Sequence, residues 1–156
     1  LTIALARIVL SPDSPGGPAG GAREQPRRDR GIASQRPILV VDDDPEILAM
    51  LRDFLESEGL QVCTATNGAE ALDALNDCVP SLILLDMRMP VLDGWGFAER
   101  YRERHLGYPI VVMTAAESAR RWAEEIGATS YIAKPFDVNE LLQMIERHRQ
   151  RDAKPN

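Results

Sequence analysis

Three acids, one hydroxyl and one amine occupy comparable places along this chain. Asp42 and Asp43 follow the apolar run PILVV (37–41), and Asp86 lies near the end of SLILLDM (81–87). Thr114 follows PIVVM (109–113), and Lys134 follows SYIA (130–133). Three carboxylates brought within a few ångströms repel one another, and one lysine leaves them with a formal local charge of −2. A hard divalent cation held by oxygen ligands cancels that charge. Mg²⁺ characteristically takes one or two carboxylates and completes its shell with waters and a phosphate. The chemistry favoured by this set is therefore the handling of a phosphoryl group. Asp44 is better read as the cap of the helix that follows it. Capping does not explain Asp42 and Asp43, because Asp86 and Lys134 arrive at the same edge.

Other phosphate chemistries lack their residues. The chain has neither the glycine-rich loop ending in Gly-Lys-Ser/Thr nor a Gly-x-Gly-x-x-Gly turn, so nucleotide binding of those kinds has no support. A phosphatase with an aspartate nucleophile needs a second acid two residues on, where this chain has Arg88. Cys63 and Cys78 read as packing or inert surface. His105 and His148 fall near Arg-rich helix ends, where a favourable dipole position accounts for them.

The elements that must bring these residues together alternate strictly. The run 37–41 has the continuous apolar character of a strand buried on both faces. Asp44-Pro45 opens a helix bearing Ile47, Leu48, Leu51, Phe54 and Leu55 at helical spacing, with Gly59 at its C-terminal cap. A second strand spans 60–66, and Asn67 with Glu70 starts a second helix. A third strand spans 81–87, and Asp93-Gly94 begins helix three. Strand four spans 109–113, helix four runs from Glu117 to Ile126 and stops at Gly127, and strand five spans 130–133. The stretch Asp137–Glu140 caps a last helix carrying Leu141, Leu142 and Ile145. Five β–α units with short connections predict a parallel sheet covered on both faces by right-handed crossovers. In such sheets the ligand site lies beyond the carboxyl ends of the strands, where the five residues above stand.

The chain has 156 residues, 44% hydrophobic and 27% charged, with a net charge of −6. That is one domain's length, enough to bury a core without staples. Two cysteines exclude a disulfide framework, and no apolar run approaches the ~20 residues of a membrane span. Residues 1–36 carry a net +3 and hold 5 of the 11 Gly and 4 of the 11 Pro, whereas 37–156 carry −9. The first 36 residues therefore read as a disordered leader, with Arg27, Arg28 and Arg30 in a solvated linker rather than a basic contact arm. The acidic remainder argues against general nucleic-acid affinity.

The motifs VVDDDPEI, LLDMRMPVLDG, VVMTA and YIAKPF, in this order and spacing, closely resemble the receiver domain of two-component response regulators. The resemblance runs from about Pro37 to about Arg149. It implies an α/β, flavodoxin-like, doubly wound five-stranded parallel sheet, (βα)5, and phosphoryl transfer from a sensor histidine kinase onto Asp86. It further implies Mg²⁺ (or Mn²⁺) held by Asp43, Asp86 and the Arg88 backbone carbonyl, with Asp42 acting largely through a metal-bound water. Lys134 would bind the phosphoryl oxygens, Thr114 would move to hydrogen-bond one of them, and Tyr131 matches the switch aromatic. Pro135 matches the proline that commonly follows the lysine through a cis bond. Ala115 fits the small residue that leaves the site open.

Two departures qualify the match. Thr114 and Lys134 are 20 positions apart, tighter than is common in the family, so helix four or its flanking loops should be shorter. The helix-four-to-helix-five face is accordingly not expected as a standard dimer surface. Trp122, with Ala119, Ala123 and Ile126, forms an apolar stripe expected to pack into the core. The second departure pairs Arg88, two after Asp86, with Ala116, two after Thr114. Neither can activate a water, so slow self-dephosphorylation is expected.

The sequence thus predicts a leader (1–36), a receiver domain (37–151) and a short tail (152–156). It predicts a stand-alone cytoplasmic receiver, a monomer or weak dimer that catalyses only its own phosphorylation and dephosphorylation. It would signal through a histidine phosphotransfer protein or effector, without nucleic acid or membrane. The alternatives are a pseudo-receiver adaptor without phosphorylation, or a fragment of a longer regulator.

Overall fold

The computed structural model describes residues 36–152. The expected leader (apart from Arg36) and nearly all of the short tail lie outside the described residues. Ten elements alternate: β1 (Ile38–Val41), α1 (Pro45–Ser57), β2 (Val62–Ala65), α2 (Gly68–Ala74), β3 (Leu82–Asp86), α3 (Gly94–Glu103), β4 (Ile110–Ala115), α4 (Ala116–Ile126), β5 (Ser130–Lys134) and α5 (Val138–Asp152). The strands form one parallel sheet in the order β2-β1-β3-β4-β5. This is the predicted doubly wound arrangement, its strand order turning back at β1.

Burial follows position in the sheet. Every residue of β1 and β3 is buried, as are all but the last of β4, whereas the edge strands β2 and β5 are half-covered. Alternate strand residues feed two cores. Leu39, Val41, Ile83, Leu85 and Val112 pack with α2, α3 and α4; Ile38, Val40, Leu82, Leu84, Val111 and Met113 pack with α1 and α5. Removing each such side chain from water contributes about 1.5–3 kcal/mol, which is why runs that look uniformly apolar become central strands.

The helix starts follow their local chemistry. Asp44 accepts from the backbone N–H groups of Glu46 (2.8 Å) and Ile47 (3.5 Å), with Pro45 in the first turn. Asn67 accepts from Glu70 N–H, while the Glu70 carboxylate takes both the backbone N–H and the hydroxyl of Thr66. Asp93 accepts from Gly96 N–H at 2.8 Å. Gly59 and Gly127 take the left-handed conformation after α1 and α4, as the sequence suggested.

The strand read over 60–66 is shorter, spanning only Val62–Ala65 as β2, and the other differences fall around β4. The predicted strand stops at Met113, but pairing continues through Thr114↔Ala133 and Ala115↔Lys134. Thr114 and Lys134 therefore lie within the ends of β4 and β5 rather than at the start of the loops after them. Helix α4 begins at Ala116 with no intervening loop, capped by Ala115, which has no side-chain oxygen to offer. The short Thr114–Lys134 spacing is thus taken from the β4–α4 connection, while α4 keeps three turns. The apolar stripe packs as expected, with Ala119, Trp122, Ala123 and Ile126 all buried.

Candidate functional site

Register assembles the site. Val41 pairs with Leu85, so Asp42 emerges beside Asp86 at the carboxyl edge of the two innermost strands. Asp86 pairs with Met113, which places Thr114 one step beyond on β4, and Ala115 pairs with Lys134 on β5. The carboxylates of Asp42, Asp43 and Asp86 offer ligand atoms all within 4.8 Å of one another, the one such cluster among the described residues. Asp42 and Asp86 are buried and Asp43 is exposed. Lys134 Nζ lies 2.5 Å from Asp42 Oδ2 and 3.7 Å from Asp86 Oδ1. Asp42 Oδ1 accepts from Asp44 N–H, and Asp86 Oδ1 accepts from Met87 N–H.

Burial pushes the Asp86 carboxyl above the ordinary carboxylate range; Lys134 opposes the shift and Asp42 adds to it. One lysine does not neutralise three acids. The deficit, with an all-oxygen donor set open to solvent at Asp43, fits a small hard divalent cation. Thr114 is buried beside this cluster, Tyr131 is exposed on β5, and the Lys134–Pro135 peptide is cis as expected.

The loop from β3 to α3 frames the site. Met87 O accepts from Gly94 N–H at 3.0 Å, and a Cβ on Gly94 would sit 2.8 Å from Met87 Cα. Only glycine permits that approach. Val91 has φ 70° and is the centre of a γ-turn closed by Leu92 N–H to Pro90 O at 2.9 Å. For a β-branched residue this is a strained conformation.

Arg88 takes an unforeseen position. Its guanidinium lies over the Trp122 ring at 5.0 Å, and Trp95 meets that indole edge-on at 4.9 Å. Trp95 Nε1–H donates to Glu125 Oε2 at 3.0 Å. The sequence marks Trp122 as core, but no spacing rule pairs it with Arg88 on another element. The remaining candidates lie elsewhere. His105 and His148 line a cavity at the amino-terminal ends of β4 and β5, opposite the carboxylates. Cys63 and Cys78 adjoin each other in a shallow groove, where burial pushes the Cys78 thiol up to about 12, in keeping with a packing role.

A doubly wound parallel sheet with an acid cluster, a lysine and a threonine at its carboxyl edge defines a class of α/β domain. Residues 38–146 match the family described as response regulator receiver domain, and the chain belongs to that family. It is 40% identical over 116 residues to the DNA-binding transcriptional regulator NtrC of Escherichia coli K12, covering 72% of this chain but a quarter of NtrC. It is 39% identical to a 14.6 kDa protein of Leptolyngbya boryana, covering 74% of this chain and 91% of that one. The solved structure of the chemotaxis response regulator CheY4 of Vibrio cholerae superposes with a TM-score of 0.65 at 31% identity, covering 72% and 97%. Among the described residues no helix is long and apolar enough to cross a membrane.

Proposed function

We propose that the chain accepts a phosphoryl group on Asp86 from a phosphohistidine of a sensor kinase and signals through protein–protein contact or onward relay in the cytoplasm. The observation that carries this reading is the convergence of three carboxylates within 4.8 Å with Lys134 bridging two of them. Asp43 and Asp86, with the Arg88 carbonyl oxygen, are the residues that would hold Mg²⁺ (or Mn²⁺), and Asp42 would act through water. When bound, the cation neutralises charge on the transferred group.

The chain's own residues do the rest. An Asp86 carboxylate oxygen attacks phosphorus, the P–N bond to the histidine breaks, and the imidazole nitrogen takes up a proton. Lys134, 3.7 Å from Asp86, would stabilise charge on the equatorial phosphoryl oxygens. Thr114 offers its hydroxyl to one of them, vacating space that the Tyr131 ring can occupy. In the second half, water attacks phosphorus, the P–O bond to Asp86 breaks, inorganic phosphate leaves and the Asp86 carboxylate returns.

The match covers 91% of the Leptolyngbya protein and a quarter of NtrC, so a receiver of this kind occurs both nearly alone and as part of a longer regulator, and both readings are kept for this chain. The test incubates the full chain with Mg²⁺ and acetyl phosphate. One acid-stable, base-labile phosphoryl group is expected by mass spectrometry, and Asp86→Asn abolishes it. No uptake identifies a pseudo-receiver, and a group on another residue overturns the assignment of Asp86.

A further inference from the structure

Arg88 stands two residues beyond Asp86, on the side of the site nearest α4. Its charge is exposed, and its guanidinium covers an indole that is 5% exposed. That indole belongs to α4, the helix joined to Thr114 through a single residue. Trp122 is held from the other side by the edge of Trp95, itself anchored to Glu125 on the same helix. Glu125 is also engaged by Arg121 at 3.1 Å. Arg88 thus bridges the loop after the acceptor strand to α4 through one cation–π contact, at a place where no ion pair is recorded for it among the described residues.

A cation–π contact at a solvent-exposed guanidinium is a weak anchor. A charge-assisted, bidentate bond from arginine to a phosphoryl group is a stronger one. Phosphorylation replaces a carboxylate with a group carrying more negative charge and more acceptor oxygens, within reach of a side chain as long as arginine. We propose that Arg88 is a phosphoryl-binding residue parked on Trp122, which leaves the indole for the acyl phosphate when Asp86 is modified. Its departure uncovers Trp122 and severs the bridge between the β3–α3 loop and α4. The phosphorylated state is then read on α4 as well as through Thr114 and Tyr131, because α4 starts one residue beyond Thr114 with no lead-in loop. This inference rests on Asp86 as the phosphoacceptor.

The experiment uses the full chain carrying Trp95→Phe, which keeps an aromatic edge against Trp122 and leaves it the sole tryptophan. Acrylamide quenching of Trp122 is measured with Mg²⁺ before and after acetyl phosphate, with intact mass read on the same samples. The Stern–Volmer constant should roughly double on phosphorylation, as one face of the ring loses its cover. Adding Arg88→Ala should give high quenching in both states. Adding Arg88→Met, which keeps an aliphatic stem without charge, should give low quenching in both. Phosphorylated protein with unchanged quenching overturns the inference and leaves the Asp86 reading standing. So does Arg88→Ala with the parent's quenching before phosphorylation. Absence of the phosphoryl mass overturns both readings together.

Discussion

Asp86 sits under opposed pressures: burial and Asp42 disfavour its charge, and Lys134 favours it. With a folded pKa raised above the unfolded value, its stabilising contribution is complete below the unfolded pKa and is lost as pH rises through the folded one. In metal-free buffer at neutral pH, Asp86→Asn should therefore raise the melting temperature. The advantage should vanish below about pH 4, where the carboxyl is protonated in both states. Thermal melts across that range check it, and equal melting at neutral pH would contradict it. Arg88 supports a second expectation. A guanidinium drawn onto the phosphoryl group stays protonated and cannot serve as a base, and Ala116 has no group to orient water. Arg88→Asn and Ala116→Glu should each shorten the phosphorylated lifetime; if neither decays faster than the parent, this account of the pair is wrong.

The β3–α3 loop is where an element departs from its cheapest conformation. Val91 is 83% exposed, so its side chain gains little from packing while its backbone holds φ 70°. Val91→Gly should relieve that strain and raise stability by about 0.5–1 kcal/mol, even against glycine's greater unfolded-state entropy. Gly94→Ala should do the reverse. The added methyl meets Met87 backbone and sulfur at 2.8 and 2.6 Å, so a loss of about 1–3 kcal/mol is expected. Urea titration of both variants tests the pair, and a stabilising Gly94→Ala would show that the loop yields more than its contacts suggest.

At the scale of the whole chain, the composition of residues 1–34 offers no periodic apolar face to a core. Their removal should leave both the melting temperature and phosphorylation of Asp86 unchanged. A fall in melting temperature beyond a few degrees would show that the leader packs on the domain. The match spans a quarter of NtrC, so DNA binding and transcriptional regulation are properties of that longer protein.

Much of this was legible along the chain because the information is local. Apolar runs, caps at Asp44, Asn67 and Asp93, and glycines at 59 and 127 each act within a few residues, so five β–α units and their order follow directly. The carboxyl-edge rule then places Asp42, Asp43, Asp86, Thr114 and Lys134 together without any contact being known. Three features needed the tertiary structure. The extra ladder pairs that carry β4 and β5 through Ala115 and Lys134 depend on a partner strand, which periodicity in one segment cannot reveal. The γ-turn at Val91 runs against the preference of its own residue, in the loop that Gly94 N–H closes onto Met87 O. The Arg88–Trp122 contact joins residues 34 positions apart on different elements, and nothing in either side chain names the other. Local chemistry sets the elements and the edge they share, whereas packing across the sheet decides what the arginine beside Asp86 touches.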